Sequence, residues 1–430
     1  AGIEKTSTYI KQKKKENPNT IVLSSGDMYQ GSMYSNNTKG KLMTEWLNEL
    51  NCVSMTIGNH EFDWGEEAIK QNKAIASFPF LAINIFDKQT NKRVSYVDAS
   101  TTFTVDNIKF GLIGAIGDCY SSISGSKVKD VEFKVGDELA SLVKEESTRL
   151  RNEENCDFII YSLHGPTSDY QEELSSGKYV DVCFEGHTHK QYSTVDSYGV
   201  YHLQGAGYNE SFSHLELLAN KNSKEITIKD TTPIVTSSFL SLSNDKDTTD
   251  LINKYMDEIG NPDEVVGYNK KERSSNELRQ KIADLYLETG LAEWGSSYDI
   301  VLGGGYLSTR SPYVLPSGNV TISQIYNLFP FDNDIVLCKG SGTFIKNAYV
   351  NSTNKNYFTT YNEEKGYSSS YSYSSSSTYY LITDTFGSDY YLYGNGYRSN
   401  YKFEQLKVSS SGKYARDLIT TYIRNGNYKV

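Results

Sequence analysis

A chain of 430 residues with a formal charge of −10 has enough apolar residues for two or three domains with full cores. Its acidic surplus argues against DNA or any other nucleic acid as a partner, because such binding needs basic surface. No apolar run approaches the ~20 residues of a membrane helix.

The five cysteines (Cys52, Cys119, Cys156, Cys183 and Cys338) form no C-x-x-C pair, and their number is odd. In so long a chain they read as buried free thiols rather than a disulfide framework. Tyr is unusually frequent, at 35 residues. The chain opens at Ala1-Gly2-Ile3 without a Met, so residues upstream are expected.

From the N-terminus, Gly2 to Glu16 has a basic, helix-compatible pattern. Thr20 to Ser25 reads as a buried strand, Lys39 to Leu50 as an amphipathic helix and Cys52 to Ile57 as a second strand. Residues 65–76 look helical, and Phe80 to Ile85 extended. Thr102 to Ile116 reads as a hairpin turning at Asp106-Asn107. Val135 to Asn152 reads as a helix, and Asp157 to Leu163 and Val180 to Glu185 as strands. Residues 199–230 look like a β-meander with a turn near Asn220. This alternation predicts an α/β (α+β layered) domain. We expect a catalytic domain over residues 1–235, a linker helix within 236–262 (Thr249 to Ile259) and a second, mixed α/β domain over 263–430. The second domain should hold helices near Asn276 to Glu288, Ser323 to Leu328 and Gly412 to Arg424, with a strand at Asp299 to Leu302. Tyr361 to Tyr380 is Ser/Tyr-rich and reads as a surface loop or polar hairpin rather than core.

Four apolar runs in the first half stop at residues able to bind metal. Thr20–Ser25 is followed by Gly26-Asp27, and Cys52–Ile57 by Gly58-Asn59-His60. Asp157–Leu163 is followed by His164-Gly165, and Val180–Glu185 by Gly186-His187-Thr188-His189. In α/β sheets ligands gather beyond the carboxyl ends of strands, so four such ends can converge. Four of the six His lie at these places. His202 and His214 fall in the meander and read as structural. Two divalent ions roughly 3.5–4 Å apart can activate water and clamp the oxygens of an in-line displacement. A carboxylate such as Asp27 can bridge both ions, because it has two acceptor oxygens. Donors without a thiolate point to Zn, Mn, Fe or Co. The glycines at 26, 58, 165 and 186 would permit sharp turns at the strand ends. His60 and Asp63 stand at i and i+3, so Asp63 could orient and polarise the imidazole. It could equally cap the helix that follows.

At these residues the chain resembles the calcineurin-like metallophosphoesterases, and within them the bacterial 5′-nucleotidases. The matching motifs are G-D-M-Y-Q-G-S (26–32), G-N-H-E-F-D (58–63), S-L-H-G (162–165) and G-H-T-H (186–189). The similarity continues from Gly303 to Asn333, through G-G-G-Y-L-S-T-R-S-P-Y and F-P-F-D-N. It implies a metallophosphoesterase β-sandwich flanked by helices, a linker helix and a nucleotide-binding C-terminal domain, with domain rotation bringing substrate to the metals. It further implies two divalent ions. Asp27 would bridge them, with Asn59, His164 and His187 on one ion and His189 on the other. His60 would stabilise the transition state with help from Asp63. Phe331 would form one side of a base clamp and Tyr390 the other, while Asn395 stands where the family has Asp. Arg310 and Arg273 are candidates for phosphate or ribose contacts. The activity implied is hydrolysis of nucleoside 5′-monophosphates, in an extracellular or cell-surface setting. Two alternatives are a 2′,3′-cyclic-nucleotide 2′-phosphodiesterase/3′-nucleotidase and a nucleotide-binding surface protein with an incomplete metal site. The D-x-H motif with which the family opens has no match in Ala1 to Gly26.

Overall fold

The computed structural model describes residues 1–306, 309–310, 313–352, 357–393 and 401–429. The chain divides into two compact units. The first comprises Ala1–Gln30, Asn37–Ile123 and Lys127–Glu258, and the second Gly31–Asn36, Ser124–Ser126 and Ile259–Val430.

In the first unit α1 (Ile3–Glu16), α2 (Lys41–Glu49), α3 (Gly65–Ile75) and α4 (Asp137–Asn152) alternate with strands. Two short parallel strands, β1 (Met55–Thr56) and β2 (Phe80–Leu81), pair with each other. The main sheet contains β3 (Ser100–Val105), β4 (Ile108–Ile116), β5 (Phe158–His164), β6 (Val182–Glu185), β7 (Tyr192–Val195) and β8 (Tyr201–Gln204), in the order β3-β4-β5-β6-β8-β7. Its central pairings are parallel, and the two edge pairings are antiparallel. The β3–β4 hairpin turns at Asp106 (φ 48°) and Asn107 (φ 66°). Left-handed backbone at both central residues matches the strand twist, and Asp and Asn tolerate it well.

The central strands are apolar on both faces because both are covered. Ile113, Ala115, Ile159, Tyr161 and Leu163 pack under α4 with Leu139, Val143 and Leu150. Leu112, Phe158 and Ile160 face the other way, against Leu81. The alternation follows from the two-residue period of a strand.

Several expected elements differ. Thr20–Ser25 is not a regular strand. It makes one bridge, Ser24 to Met55, although its backbone bonds run alongside residues 53–56. Phe80–Ile85 is broken, because Ile83 turns its N–H to Gly114 of the main sheet and pairing resumes only at Ile85–Asp87. The expected meander at 199–230 is divided. Tyr201–Gln204 lies parallel to β6 inside the main sheet, while β9 (Glu216–Asn220) and β10 (Glu225–Asp230) form a separate hairpin.

The helix expected at Thr249–Ile259 begins earlier, as α5 (Lys246–Lys254), with a separate turn at Met256–Ile259. Asp245 caps α5 by accepting from Thr248 N–H at 3.1 Å. Thr248 Oγ1 and the Trp46 indole both meet Ser7 Oγ, at 2.8 and 2.7 Å, which ties α5, α2 and α1 together within the first unit.

The second unit contains α6 (Ser275–Trp294), β11 (Ile300–Tyr306), α7 (Ile322–Leu328), β12 (Ile335–Ser341), β13 (Tyr357–Tyr361), β14 (Thr378–Asp384), α8 (Thr385–Tyr393), β15 (Glu404–Val408) and α9 (Ala415–Arg424). Its sheet runs β13-β11-β14-β12-β15. A reciprocal cap between Ser274 and Glu277 starts α6. The Ser/Tyr-rich stretch is mostly exposed connection between β13 and β14. Asn362 and Tyr373 are buried exceptions, and the Tyr373 ring meets Tyr361, Tyr371 and Tyr379, with centroids 6.4, 4.9 and 5.2 Å away. All five cysteines are free and buried. Among the described residues no helix is long and apolar enough to cross a membrane.

Asp245→Ala should lower unfolding stability by about 1 kcal/mol through loss of the cap. Hydrogen exchange should show faster opening of 246–254 than of α4. Unchanged protection there would exclude capping as what orders α5.

Candidate functional site

The site forms where β1, β5, β6 and the Ser24 bridge end together. Asp27 and His187 both have left-handed backbone, at φ 61° and 77°, as does His189 at 59°. Such conformations cost of order 1 kcal/mol for a residue with a Cβ and gather at functional sites. Of the glycines, Gly26 (φ 95°) does supply a left-handed turn. Gly58 serves differently: a Cβ there would lie 2.4 Å from Asp27 Oδ1 and 2.7 Å from His164 Cε1. Close approach, rather than turning, excludes a side chain at 58.

His164, fully buried at the end of β5, directs Nδ1 to the Ser25 carbonyl at 2.6 Å. With that nitrogen donating, Nε2 faces Asn59 Oδ1 at 3.1 Å and Asp27 Oδ2 at 3.3 Å. His187 Nδ1 lies 2.9 Å from the same Asn59 oxygen. Asp27 Oδ1 accepts from the His60 backbone N–H at 2.9 Å. A carboxylate, an amide oxygen and two imidazoles thus present acceptors to one small volume.

Burial alone would raise the Asp27 carboxyl, but the charges of His164 and His60 hold it well below the usual range. Burial would lower His164, and Asp27 raises it instead. His187 is pulled down to about 4 by burial and by His164, so it is neutral near pH 7 with a free electron pair for a cation. This donor set fits a divalent metal, because mutually repelling acceptors are satisfied by a shared positive charge. Asp27, Asn59, His164 and His187 could hold one.

His189 is partly exposed and meets Tyr208 edge-on, with ring centroids 4.9 Å apart. Gln204 spans its loop, accepting from Thr188 N–H at 3.3 Å and donating to the Lys190 carbonyl at 2.5 Å. His60 Nδ1 is 3.0 Å from Asp63 Oδ2. No side chain caps α3, so the geometry is that of a His–Asp pair. His202 bridges Glu185 (2.8 Å) and Asp196 (3.4 Å) inside the first unit. His214 lies 3.6 Å from Asp230.

In the second unit Phe331 is half-buried, while its neighbour Phe329 is core. The Arg310 guanidinium lies 5.3 Å from the Phe331 ring centre. Arg273 stacks on Tyr428 at 3.7 Å and bonds Asn269 at 3.1 Å. Tyr390 is half-buried and lies on α8, which also carries Tyr391 and Tyr393. The helix starts at Thr385 because the buried Asp384 carboxylate accepts from Gly387 N–H at 2.8 Å. Asn395 lies outside the described residues.

Two residues escape a reading of motifs. The Cys119 thiol is buried near His164 and His187, with Sγ 3.4 Å from the His164 carbonyl. Glu61 is fully buried, and its carboxylate accepts from three backbone N–H groups: Asp27 at 2.9 Å, Met28 at 2.7 Å and Gly58 at 2.7 Å. Burial and the nearby Asp27 charge push it up to about 7. Nothing in the sequence sets it apart from the other polar residues of Gly58-Asn59-His60-Glu61-Phe62-Asp63. Glu61→Gln replaces one acceptor oxygen with a donor facing an N–H. It should cost about 2 kcal/mol of unfolding free energy, measured by urea denaturation. A loss below about 0.5 kcal/mol would mean that the three bonds do not organise the loops.

Residues 1–191 match the calcineurin-like phosphoesterase family model. An apyrase from Tabanus yao is 25% identical over 377 residues, covering 81% of this chain and 67% of the apyrase. Protein UshA of Salmonella pullorum is 32% identical over 155 residues, covering 36% of this chain and 27% of UshA. Among solved structures, a 5′-nucleotidase precursor from Thermus thermophilus superposes with a TM-score of 0.76 at 15% identity, covering 99% of this chain and 90% of that one. A 5′-nucleotidase from Candida albicans gives a TM-score of 0.68 at 16% identity, with 99% and 93% covered. At these identities the superpositions establish the fold. Residues 1–191 thus carry a calcineurin-like phosphoesterase domain, which supports a metal-dependent phosphoester hydrolase, and the chain as a whole has the mixed α/β fold of solved 5′-nucleotidases.

Proposed function

We propose that this protein is a dinuclear-metal 5′-nucleotidase, hydrolysing nucleoside 5′-monophosphates to nucleoside and phosphate. The observation that carries the reading is the convergence of Asp27 Oδ2, Asn59 Oδ1, His164 Nε2 and His187 Nδ1 on one buried volume. These four would hold one metal, and Asp27 with His189 would contribute to a second, drawn from Zn, Mn, Fe or Co. When bound, the metals supply positive charge to the phosphoryl oxygens and lower the pKa of a water.

The chain's own groups then have defined tasks. Asp27 and Asn59 fix the metal-facing oxygens on rigid, buried backbone. His60, oriented by Asp63, donates a hydrogen bond to the phosphoryl group as charge builds in the transition state. Residues 1–235 would carry this chemistry, 236–262 the connection and 263–430 nucleoside recognition, through Phe331 and Tyr390 with Arg310, Arg273 and Asn395 as polar contributors. The setting would be extracellular or at the cell surface.

Steady-state assays on AMP, 3′-AMP and cyclic 2′,3′-AMP test the substrate class, and preference for AMP is expected. Preference for the cyclic substrate would replace this reading with the phosphodiesterase. Asp27→Ala or His164→Ala should abolish hydrolysis and reduce bound metal measured by mass spectrometry. Full activity in either variant would overturn the site. His60→Ala should lower kcat by about 10²–10⁴-fold while the metal content persists. Phe331→Ala should raise KM for AMP roughly fivefold, the loss of about 1 kcal/mol of stacking, with little change in kcat.

A further inference from the structure

The segment 329–334 joins α7 to β12 and has no regular secondary structure of its own. It must nevertheless present Phe331 in a defined place if that ring is to meet a flat substrate. Its two ends are anchored. Phe329 is core, and Asp334 N–H donates to Thr385 Oγ1 at 3.1 Å. The middle is held by Asn36, whose Nδ2 donates to the Pro330 carbonyl at 2.6 Å, and by a side chain from α9. Arg416 donates through Nη1 to the Phe331 carbonyl at 3.2 Å and approaches the Phe329 carbonyl at 3.5 Å. Its Nη2 pairs with Asp332 Oδ1. The guanidinium plane packs near Tyr326 and Tyr414, 4.5 and 4.9 Å from their ring centres.

The position of this arginine has no local justification. Arg416 is the second residue of α9, where the helix dipole disfavours a cation. The helix start is served by other groups: Asp417 Oδ2 accepts from Tyr414 N–H at 2.8 Å. The Arg416 side chain is only 7% exposed, so its charge is largely removed from water. What offsets both costs is the loop. A planar fork with five donors can reach two carbonyls and a carboxylate at once, which the single ammonium of lysine cannot reproduce.

We infer that Arg416 is a positioning residue for substrate specificity: it sets the backbone at 329–332 so that Phe331 is presented to an aromatic nucleobase. The inference rests on the nucleotidase reading above but concerns residues of the second unit, none of them a proposed metal ligand. Arg310, beside the Phe331 ring, lies on the same loop system, because its N–H donates to the Leu328 carbonyl at 2.8 Å.

The test compares AMP with ribose 5-phosphate, which lacks the base, in the wild type, Arg416→Lys, Arg416→Met, Phe331→Ala and the Arg416→Met/Phe331→Ala double variant. Both Arg416 variants should raise KM for AMP roughly fivefold with kcat little changed, and the preference for AMP over ribose 5-phosphate should fall to that of Phe331→Ala. The double variant should be no worse than the worse single one, because both changes remove the same ring contact. Retained AMP preference in Arg416→Lys and Arg416→Met, or full additivity in the double variant, overturns the inference. If Arg416→Met fails to fold, Arg416→Lys, which keeps the charge and most of the volume, decides by the same KM ratio. A wild type that hydrolyses both substrates without preference overturns the nucleotidase reading, and the inference with it. A wild type that prefers AMP beside unaffected Arg416 variants overturns the inference alone.

Discussion

The buried carboxylate of Glu61 is the point on which the first unit's geometry turns. It binds the backbone of Asp27, Met28 and Gly58, so two loops from distant parts of the chain share one anchor. Each bond is a short donor-to-carboxylate contact in a dry environment, the strong kind of hydrogen bond. The arrangement also holds Asp27 in left-handed backbone, where the conformational cost has to be met by its surroundings. With the loops fixed, His164 and His187 need only arrive at the ends of neighbouring parallel strands, and the sheet does that. A rigid sheet delivers two imidazoles, and a charged knot delivers the carboxylate and the amide.

The two units solve the same problem by different means. In the first, the buried Glu61 carboxylate organises loops around a polar centre by accepting from three backbone N–H groups. In the second, a buried cation, Arg416, organises a loop by reaching carbonyls and Asp332. Both rely on a side chain whose donors or acceptors outnumber those of any single backbone group. Both place the costly charge one step behind the residues proposed to act.

Much of this was legible in the sequence, because the relevant signals are local. Apolar runs followed by Gly and a polar residue mark strands that end at a site, and Phe158–His164 and Val182–Glu185 do so. The hairpin at Asp106-Asn107 is visible because few residues tolerate two successive left-handed positions. The failures are equally physical. Thr20–Ser25 has a strand's composition but only one bridge, because strand definition depends on partners elsewhere in the chain. Tyr390 and Tyr391 have high strand propensity, yet the cap from Asp384 makes them helical. Tyr373 sits in a serine-rich stretch and is still core. Glu61 was hidden inside a recognised motif, since its three partners are backbone groups that no alphabet of side chains reveals.

The absent Cβ at Gly58 reaches beyond structure. An added methyl would strike Asp27 Oδ1 and the His164 ring, although glycine itself carries no functional group. In a saturation scan of the gene, position 58 would therefore score as severely as the residues proposed to hold the metal. Ranking positions by tolerance alone would count it among the reactive groups. The proper comparison is chemical rather than statistical: a lost ligand is partly recovered by another donor atom of similar reach, whereas nothing larger than hydrogen restores position 58.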